Sequence, residues 1–235
     1  MVTACPRPRA ALFDAGNTLI RMDYGAIATA LSAHGVVVDS GVVEDAELRA
    51  RVRLDPYLAP GASTESVGTH DRYLRYVLEH LGVTAAGTVE ALEAWRRGYN
   101  APTGLWILAD PAAAPALAHA KAAGLVVGVI SNSNGMVSRT LEAVGLGAWI
   151  DFVIDSSVVG VEKPDPRIFS MAVERAGVPP GEAAYVGDLY SVDVLGARAA
   201  GLQGVLIDPR GYWGPRDCPR ARDAAHAVRL LLGEG

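Results

Sequence analysis

Asp14 closes the apolar run Ala11-Leu12-Phe13 and leads at once into Ala15-Gly16-Asn17-Thr18. A carboxylate so placed stands at the carboxyl end of a strand, where open α/β sheets gather functional side chains in a crevice. There it can serve as a covalent nucleophile. Three more apolar runs end in polar residues: Val126 to Ile130 before Ser131-Asn132-Ser133-Asn134, Val153-Ile154 before Asp155-Ser156, and Ala183 to Val186 before Gly187-Asp188. Four polar strand ends predict one shared site. Lys163, in Lys163-Pro164-Asp165, is one of two lysines against nineteen arginines. In a chain that uses arginine by default, an ammonium at that place reads as a selected charge rather than a generic surface one. Two simpler readings stay open: Ser131-Asn132 also suits a helix cap and turn, and Asp193 also suits the first-turn carboxylate that a helix N-terminus favours.

The elements that must position these groups follow from periodicity. From Leu105 onward, helix-like and strand-like stretches alternate: Ala112 to Ala123, Val126 to Ile130, Met136 to Val144, Phe152 to Ile154, Pro166 to Ala176 and Ala183 to Val186. That alternation predicts βα units and a parallel sheet. Glycines at 124, 145, 177 and 201 fall just past helical stretches, where a left-handed residue ends a helix. Between Ile20 and Gly104 the texture changes to amphipathic stretches at Gly25 to His34, Val43 to Leu54, His70 to Leu81 and Val89 to Tyr99, with no convincing strand. We read an inserted helical bundle there, and a C-terminal packing helix around Leu230 to Leu232.

Taken in order, Asp14 with Thr18, Ser131-Asn132 after a strand, Lys163-Pro164-Asp165 before a helix, and Gly187-Asp188 with Asp193 resemble the motifs of the haloacid dehalogenase superfamily. These are aspartate-nucleophile hydrolases, most of them phosphatases. The resemblance spans nearly the whole chain. It implies a Rossmann-like, doubly wound parallel α/β core at residues 1–22 and 105–235, and an all-α cap domain at 23–104 that closes over the crevice and selects substrates. It further implies Asp14 as nucleophile, and Mg²⁺ held by Asp14, Asp188, Asp193 and the backbone carbonyl of Gly16. Ser131, Asn132 and Lys163 would hold the phosphoryl group of a small phosphorylated substrate, with Thr18 and Asn132 as orienters.

Gly16 departs from the family pattern. Phosphatases of this superfamily usually carry a second Asp two residues after the nucleophile, which protonates the leaving group and later activates water. A positioned acid–base contributes about 10²–10⁴-fold, or roughly 3–5 kcal/mol of barrier. Four readings follow: a phosphohydrolase limited to good leaving groups, or borrowing an acid from the substrate or from His70 or Asp23; a metal-independent haloacid dehalogenase-like hydrolase, which also lacks that Asp; a phosphonatase-like enzyme; or a non-catalytic binding protein. The third needs a cap lysine, and residues 20–105 contain none. Asn17 stands where the family has glycine, and asparagine tolerates positive φ best after glycine.

Bulk properties narrow the class. A chain of 235 residues, 50% hydrophobic, can bury a full core. The net charge of -5 gives no basic face for nucleic acid. Cys5 and Cys218 lack metal-ligand spacing and suggest neither a disulfide framework nor zinc, which fits a reducing cytoplasm. Pro6, Arg7, Pro8 and Arg9 precede a run too short for a signal core, and no apolar stretch is long enough to span a bilayer. Within the helical insert, Arg51, Arg53, Tyr57, His70, Tyr73, Arg96 and Arg97 are candidates to meet an anionic or sugar-like group, though most such charges lie on solvated faces. An apolar helix stripe there is compatible with a monomer or a homodimer.

Overall fold

The computed structural model describes residues 7–59 and 61–234. Cys5 and Pro6 lie outside the described residues, and Cys218 is a half-buried free thiol. The chain runs through β1 (Ala10–Phe13), β2 (Ile20–Met22), α1 (Tyr24–Ser32), α2 (Ser40–Leu58), α3 (Val67–His80), α4 (Ala86–Gly98) and β3 (Trp106–Ala109). It continues through α5 (Ala113–Ala122), β4 (Val126–Ser131), α6 (Val137–Ala143), β5 (Phe152–Asp155), α7 (Ser156–Val159), α8 (Pro166–Ala176) and β6 (Ala183–Gly187). A π-helical turn (Tyr190–Val194), α9 (Leu195–Ala199), β7 (Gln203–Ile207), β8 (Arg220–Ala221) and α10 (Ala224–Leu232) complete it.

Six strands pair in the order β5-β4-β1-β6-β7-β8, every pair parallel. Alternate residues of β1 therefore point to opposite faces. Ala11 and Phe13 join a core built with α5 and α10, while Ala10 and Leu12 join Ile168, Phe169 and Ala172 of α8. Helices on both faces of a parallel sheet make the doubly wound arrangement. Local signals agree with it: α8 begins on the Asp165 carboxylate, which accepts from the Arg167 N–H, carries Pro166 in its first turn, and ends on Gly177 at φ 66°. β1 sits at the centre of the sheet, so the residue that follows it opens onto the middle of the strand-end crevice.

The expectation of no strand between Ile20 and Gly104 is corrected: β2 pairs antiparallel with β3, with Ile20 opposite Ala109. Three residues are too few to show alternation, and the partner strand is remote in sequence. Helices α1 to α4 lie between these two strands, and the Asp23 N–H bonds to the Leu105 carbonyl at 2.9 Å where the chain leaves and returns. The four helices bury a cluster of their own that includes Ile27, Leu31, Leu54, Leu58 and Leu78. It also takes in Val192 from the π-helical turn, which joins this layer to the sheet layer. Among the described residues no helix is long and apolar enough to cross a membrane.

Candidate active site

A cavity of about 770 Å³ opens between the strand ends and the four-helix layer. Asp14, Gly16, Ser131, Asn132, Lys163, Asp188 and Asp193 all line it, so the separate motifs of the sequence converge on one site. Thr18 does not. Its hydroxyl is buried without a hydrogen-bond partner among the described residues and lies off this cavity.

Lys163 is the hub. Its Nζ donates to Asp14 Oδ1 at 2.5 Å, to Asp193 Oδ1 at 2.8 Å and to Tyr185 Oη at 2.9 Å, which uses all three ammonium donors. The Tyr185 hydroxyl in turn donates to the Ile130 carbonyl at 3.0 Å. Burial works against the lysine's charge, but Asp14 and Asp193 outweigh it and hold its pKa well above the ordinary value. For Asp14, burial pushes the carboxyl up to about 6 while the Lys163 ammonium pulls it back. The carboxyl is thus mostly ionised at neutral pH.

Gly187 is required by contact rather than by backbone freedom. A Cβ built on it would lie 2.4 Å from Asp193 Cγ. The Asp193 carboxylate therefore rests directly on the end of β6, with Oδ2 accepting the Leu189 N–H at 2.9 Å. It is almost wholly buried rather than a solvated first-turn residue. The π-helical turn that carries it is the kind of irregularity often found at functional sites.

Asp188 meets the helical layer. Arg51 of α2 places Nη1 3.2 Å from Asp188 Oδ2 and Nη2 2.5 Å from Glu47 Oε2. Tyr24 donates to Glu47 at 2.9 Å, Tyr73 also donates to it, and Asn17 Nδ2 reaches both Tyr73 Oη at 3.3 Å and Asp188 Oδ2 at 3.4 Å. Asn17 takes φ 54°, the left-handed conformation that a glycine would otherwise supply. Burial drives the Asp188 carboxyl upward, opposed by the Arg51 guanidinium.

Asn132 is occupied by structure. Its amide accepts from the Lys163 N–H at 2.7 Å and donates to the Lys163 carbonyl at 2.9 Å. It therefore holds the lysine's backbone in place while lining the cavity. Ser131 keeps its hydroxyl at the cavity wall, with only a 3.2 Å contact to the Asn132 carbonyl. The fourth strand end is a brace: Asp155 accepts from the N–H groups of Gly135 and Ser157, and Ser156 from that of Ser133. Asp23 is also consumed, as the cap of α1 and the acceptor of the Tyr99 hydroxyl.

Of the residues considered in the helical insert, Arg53 and Tyr57 are exposed, whereas His70, Tyr73, Arg96 and Arg97 line the cavity. Arg51 is buried in the cluster just described. Tyr185, Glu47, Trp106 and Glu65 were not picked out from the sequence. A lone Tyr inside the apolar run before Gly187-Asp188 was the one available signal among them.

Asp14, Asp188 and Asp193 each offer a carboxylate oxygen within 4.8 Å of the others. With Glu47 they make four buried carboxylates facing two buried cations, Lys163 and Arg51. An oxygen-rich, net-negative pocket of this kind suits a hard divalent cation.

The haloacid dehalogenase-like hydrolase family model matches residues 8–201. The chain belongs to this family. A haloacid dehalogenase-like hydrolase domain-containing protein of Bos taurus is 32% identical over 208 residues, covering 83% of this chain and 80% of its own length. A phosphoserine phosphatase of Thermus thermophilus is 37% identical over 142 residues, 59% of this chain and 54% of that one. An L-2-haloacid dehalogenase structure superposes with a TM-score of 0.64 at 22% identity, covering 96% and 99% of the two chains, a likeness of fold alone. As a haloacid dehalogenase-like hydrolase, this chain presents Asp14 at the end of the central strand of a parallel sheet.

Proposed function

We propose that this hydrolase is a magnesium-dependent phosphatase that acts on a small phosphorylated metabolite through an aspartyl-phosphate at Asp14. The observation that carries the reading is the buried triad of Asp14, Asp188 and Asp193 beside Lys163. In this reading residues 1–22 and 105–235 form the catalytic core and 23–104 the cap. Mg²⁺, held by Asp14, Asp188, Asp193 and the Gly16 carbonyl, would offset the repulsion between a carboxylate and a phosphoryl dianion.

The chain's own groups do the rest. Lys163 fixes Asp14 through Oδ1, which leaves Oδ2 toward Gly16 as the attacking oxygen. Ser131, with backbone N–H groups of the loop after it, receives the phosphoryl oxygens. Asn132 keeps Lys163 in register through its backbone. Closure of the helical layer keeps bulk water away from the reacting phosphorus. The phosphatase named among the relatives supports this choice of chemistry.

A second reading is favoured by one observation: Gly16 removes the proton donor, and a halide leaves without a proton. Both are tested by hydrolysis of p-nitrophenyl phosphate and acetyl phosphate with Mg²⁺ and with EDTA, beside halide release from 2-chloropropionate, using Asp14→Asn as the control. Phosphate release that needs Mg²⁺ and vanishes in Asp14→Asn is the expected result. EDTA-insensitive halide release would replace the phosphatase reading with a dehalogenase.

A further inference from the structure

Position 16 carries no acid, yet the cavity contains a carboxyl that the sequence motifs do not account for. Glu65 lies in the segment between α2 and α3 and lines the same cavity as Asp14. Two hydrogen bonds tie that segment to the sheet layer beside site residues. Thr64 Oγ1 accepts from Asn132 Nδ2 at 2.9 Å, and Ser63 Oγ donates to Glu162 Oε1 at 3.0 Å, one residue before Lys163. Within the segment, the Glu65 N–H bonds Ser63 Oγ at 3.1 Å, and Thr69 Oγ1 donates to the Ser63 carbonyl at 2.7 Å. The backbone of Glu65 is thus fixed, while its carboxyl accepts no hydrogen bond from any described residue. His70 Nε2 is 3.9 Å away.

We propose that Glu65 is the general acid–base of this enzyme, supplied from the helical layer in place of the aspartate missing at position 16. The inference rests on the phosphatase reading above. In an in-line displacement the leaving oxygen departs on the side opposite the attacking one. Asp14 is carried by the sheet and Glu65 by the helical layer, and both line the one cavity between them. As Asp14 Oδ2 bonds to phosphorus and the ester P–O bond breaks, the Glu65 proton passes to the leaving oxygen and yields the free alcohol. The Glu65 carboxylate then takes a proton from the water that attacks the aspartyl-phosphate; phosphate departs, and both carboxyls return to their starting states.

The surroundings suit this task. Burial pushes the Glu65 carboxyl up to about 7, and Glu162, Asp14 and Asp155 push the same way against Lys163. His70, the other titratable neighbour, is held down near 4 by burial and Arg96 and stays neutral. A group that titrates near neutrality can both give and take the proton.

The test is Glu65→Gln, assayed with Mg²⁺ on glycerol phosphate and acetyl phosphate. Glycerol phosphate turnover should fall about 10²-fold or more, whereas acetyl phosphate, whose leaving group needs no proton, should still phosphorylate Asp14 at close to the parent rate. Acid-quenched phosphoenzyme should accumulate in the variant, because attack by water has lost its base. The fall of alkyl phosphate activity above about pH 7 should disappear. Since the carboxyl makes no hydrogen bond and its charged form is disfavoured by burial, the variant should unfold no lower than the parent, and Glu65→Asp should recover part of the loss. Equal losses in the rate of Asp14 phosphorylation from the two substrates, no accumulation of phosphoenzyme, or no loss on glycerol phosphate, overturn the assignment of Glu65. A parent enzyme that releases no phosphate from either substrate overturns the phosphatase reading, and this inference with it.

Discussion

Gly16→Asp rebuilds the missing motif residue, and the structure sets the size of its effect. Gly16 is not in the left-handed region, and a Cβ there would meet Trp106 Cδ1 and Nε1 at 3.4 Å, an ordinary contact. The new side chain therefore fits without backbone strain. That Cβ would lie 4.0 Å from Asp14 Oδ2. Two carboxylates at about that distance repel by roughly 4 kcal/mol at an effective dielectric constant near 20. This corresponds to about three pKa units and brings the added carboxyl's titration close to neutral pH, where it can donate a proton. A positioned acid is worth about 10²–10⁴-fold, but Glu65 already provides one in the parent. The expected gain on glycerol phosphate is accordingly about tenfold in the parent background and 10²-fold or more in Glu65→Gln. On p-nitrophenyl phosphate, whose leaving group is already stable as an anion, the gain in the parent background should be under about threefold. Steady-state kcat for the two substrates in the four backgrounds measures this. Equal gains on both substrates, or a loss on both, would refute the reasoning that proton donation limits this enzyme.

Three further outcomes are expected. Lys163→Met strands Asp14 and Asp193 as buried, unpaired carboxylates, which should cost about 3–5 kcal/mol in urea unfolding at pH 8 and abolish turnover; a loss under about 1 kcal/mol would show that the ammonium does not hold this cluster. Gly187→Ala sets a methyl group 2.4 Å from Asp193 Cγ, so the carboxylate must move. A displacement near 1 Å should lower kcat about 10²-fold and weaken Mg²⁺ binding measured by calorimetry, and unchanged affinity would contradict the place given to Asp193. His70 is held down to about 4 from an ordinary 6.5, chiefly by burial. A depressed folded pKa contributes stability that is present above 6.5 and lost as pH falls through 4. The loss should approach about 3 kcal/mol, and His70→Gln should flatten the decline in urea midpoint between pH 6.5 and 4; parallel curves would assign it elsewhere.

Much of the architecture was legible because it rests on local signals. Helix α8 announces both ends through Asp165, Pro166 and Gly177, and each βα unit couples an apolar run to a polar strand end. Asp14, Lys163, Asp188 and Asp193 were readable because residue type, order and spacing recur together. Contacts made only when distant segments close were not readable. β2 pairs with a strand on the far side of four helices. Arg51 resembled any helix-face arginine until the fold brought it to Asp188. Asn132 and Thr18 show the converse, since their types suited a phosphate site while packing gave one a backbone to hold and the other a buried position off the cavity. Glu65 sits in a polar segment with no periodic pattern, and only the bonds from Thr64 and Ser63 to the sheet layer reveal where it stands.

The central claim is covalent phosphorylation of Asp14, and the most direct measurement is mass spectrometry of the peptide containing Asp14 after acid quench of enzyme mixed with acetyl phosphate and Mg²⁺. The account predicts a phosphate adduct on Asp14 that is absent with EDTA and absent in Asp14→Asn. Turnover of acetyl phosphate with no adduct on that peptide, or with an adduct on another residue, would contradict it.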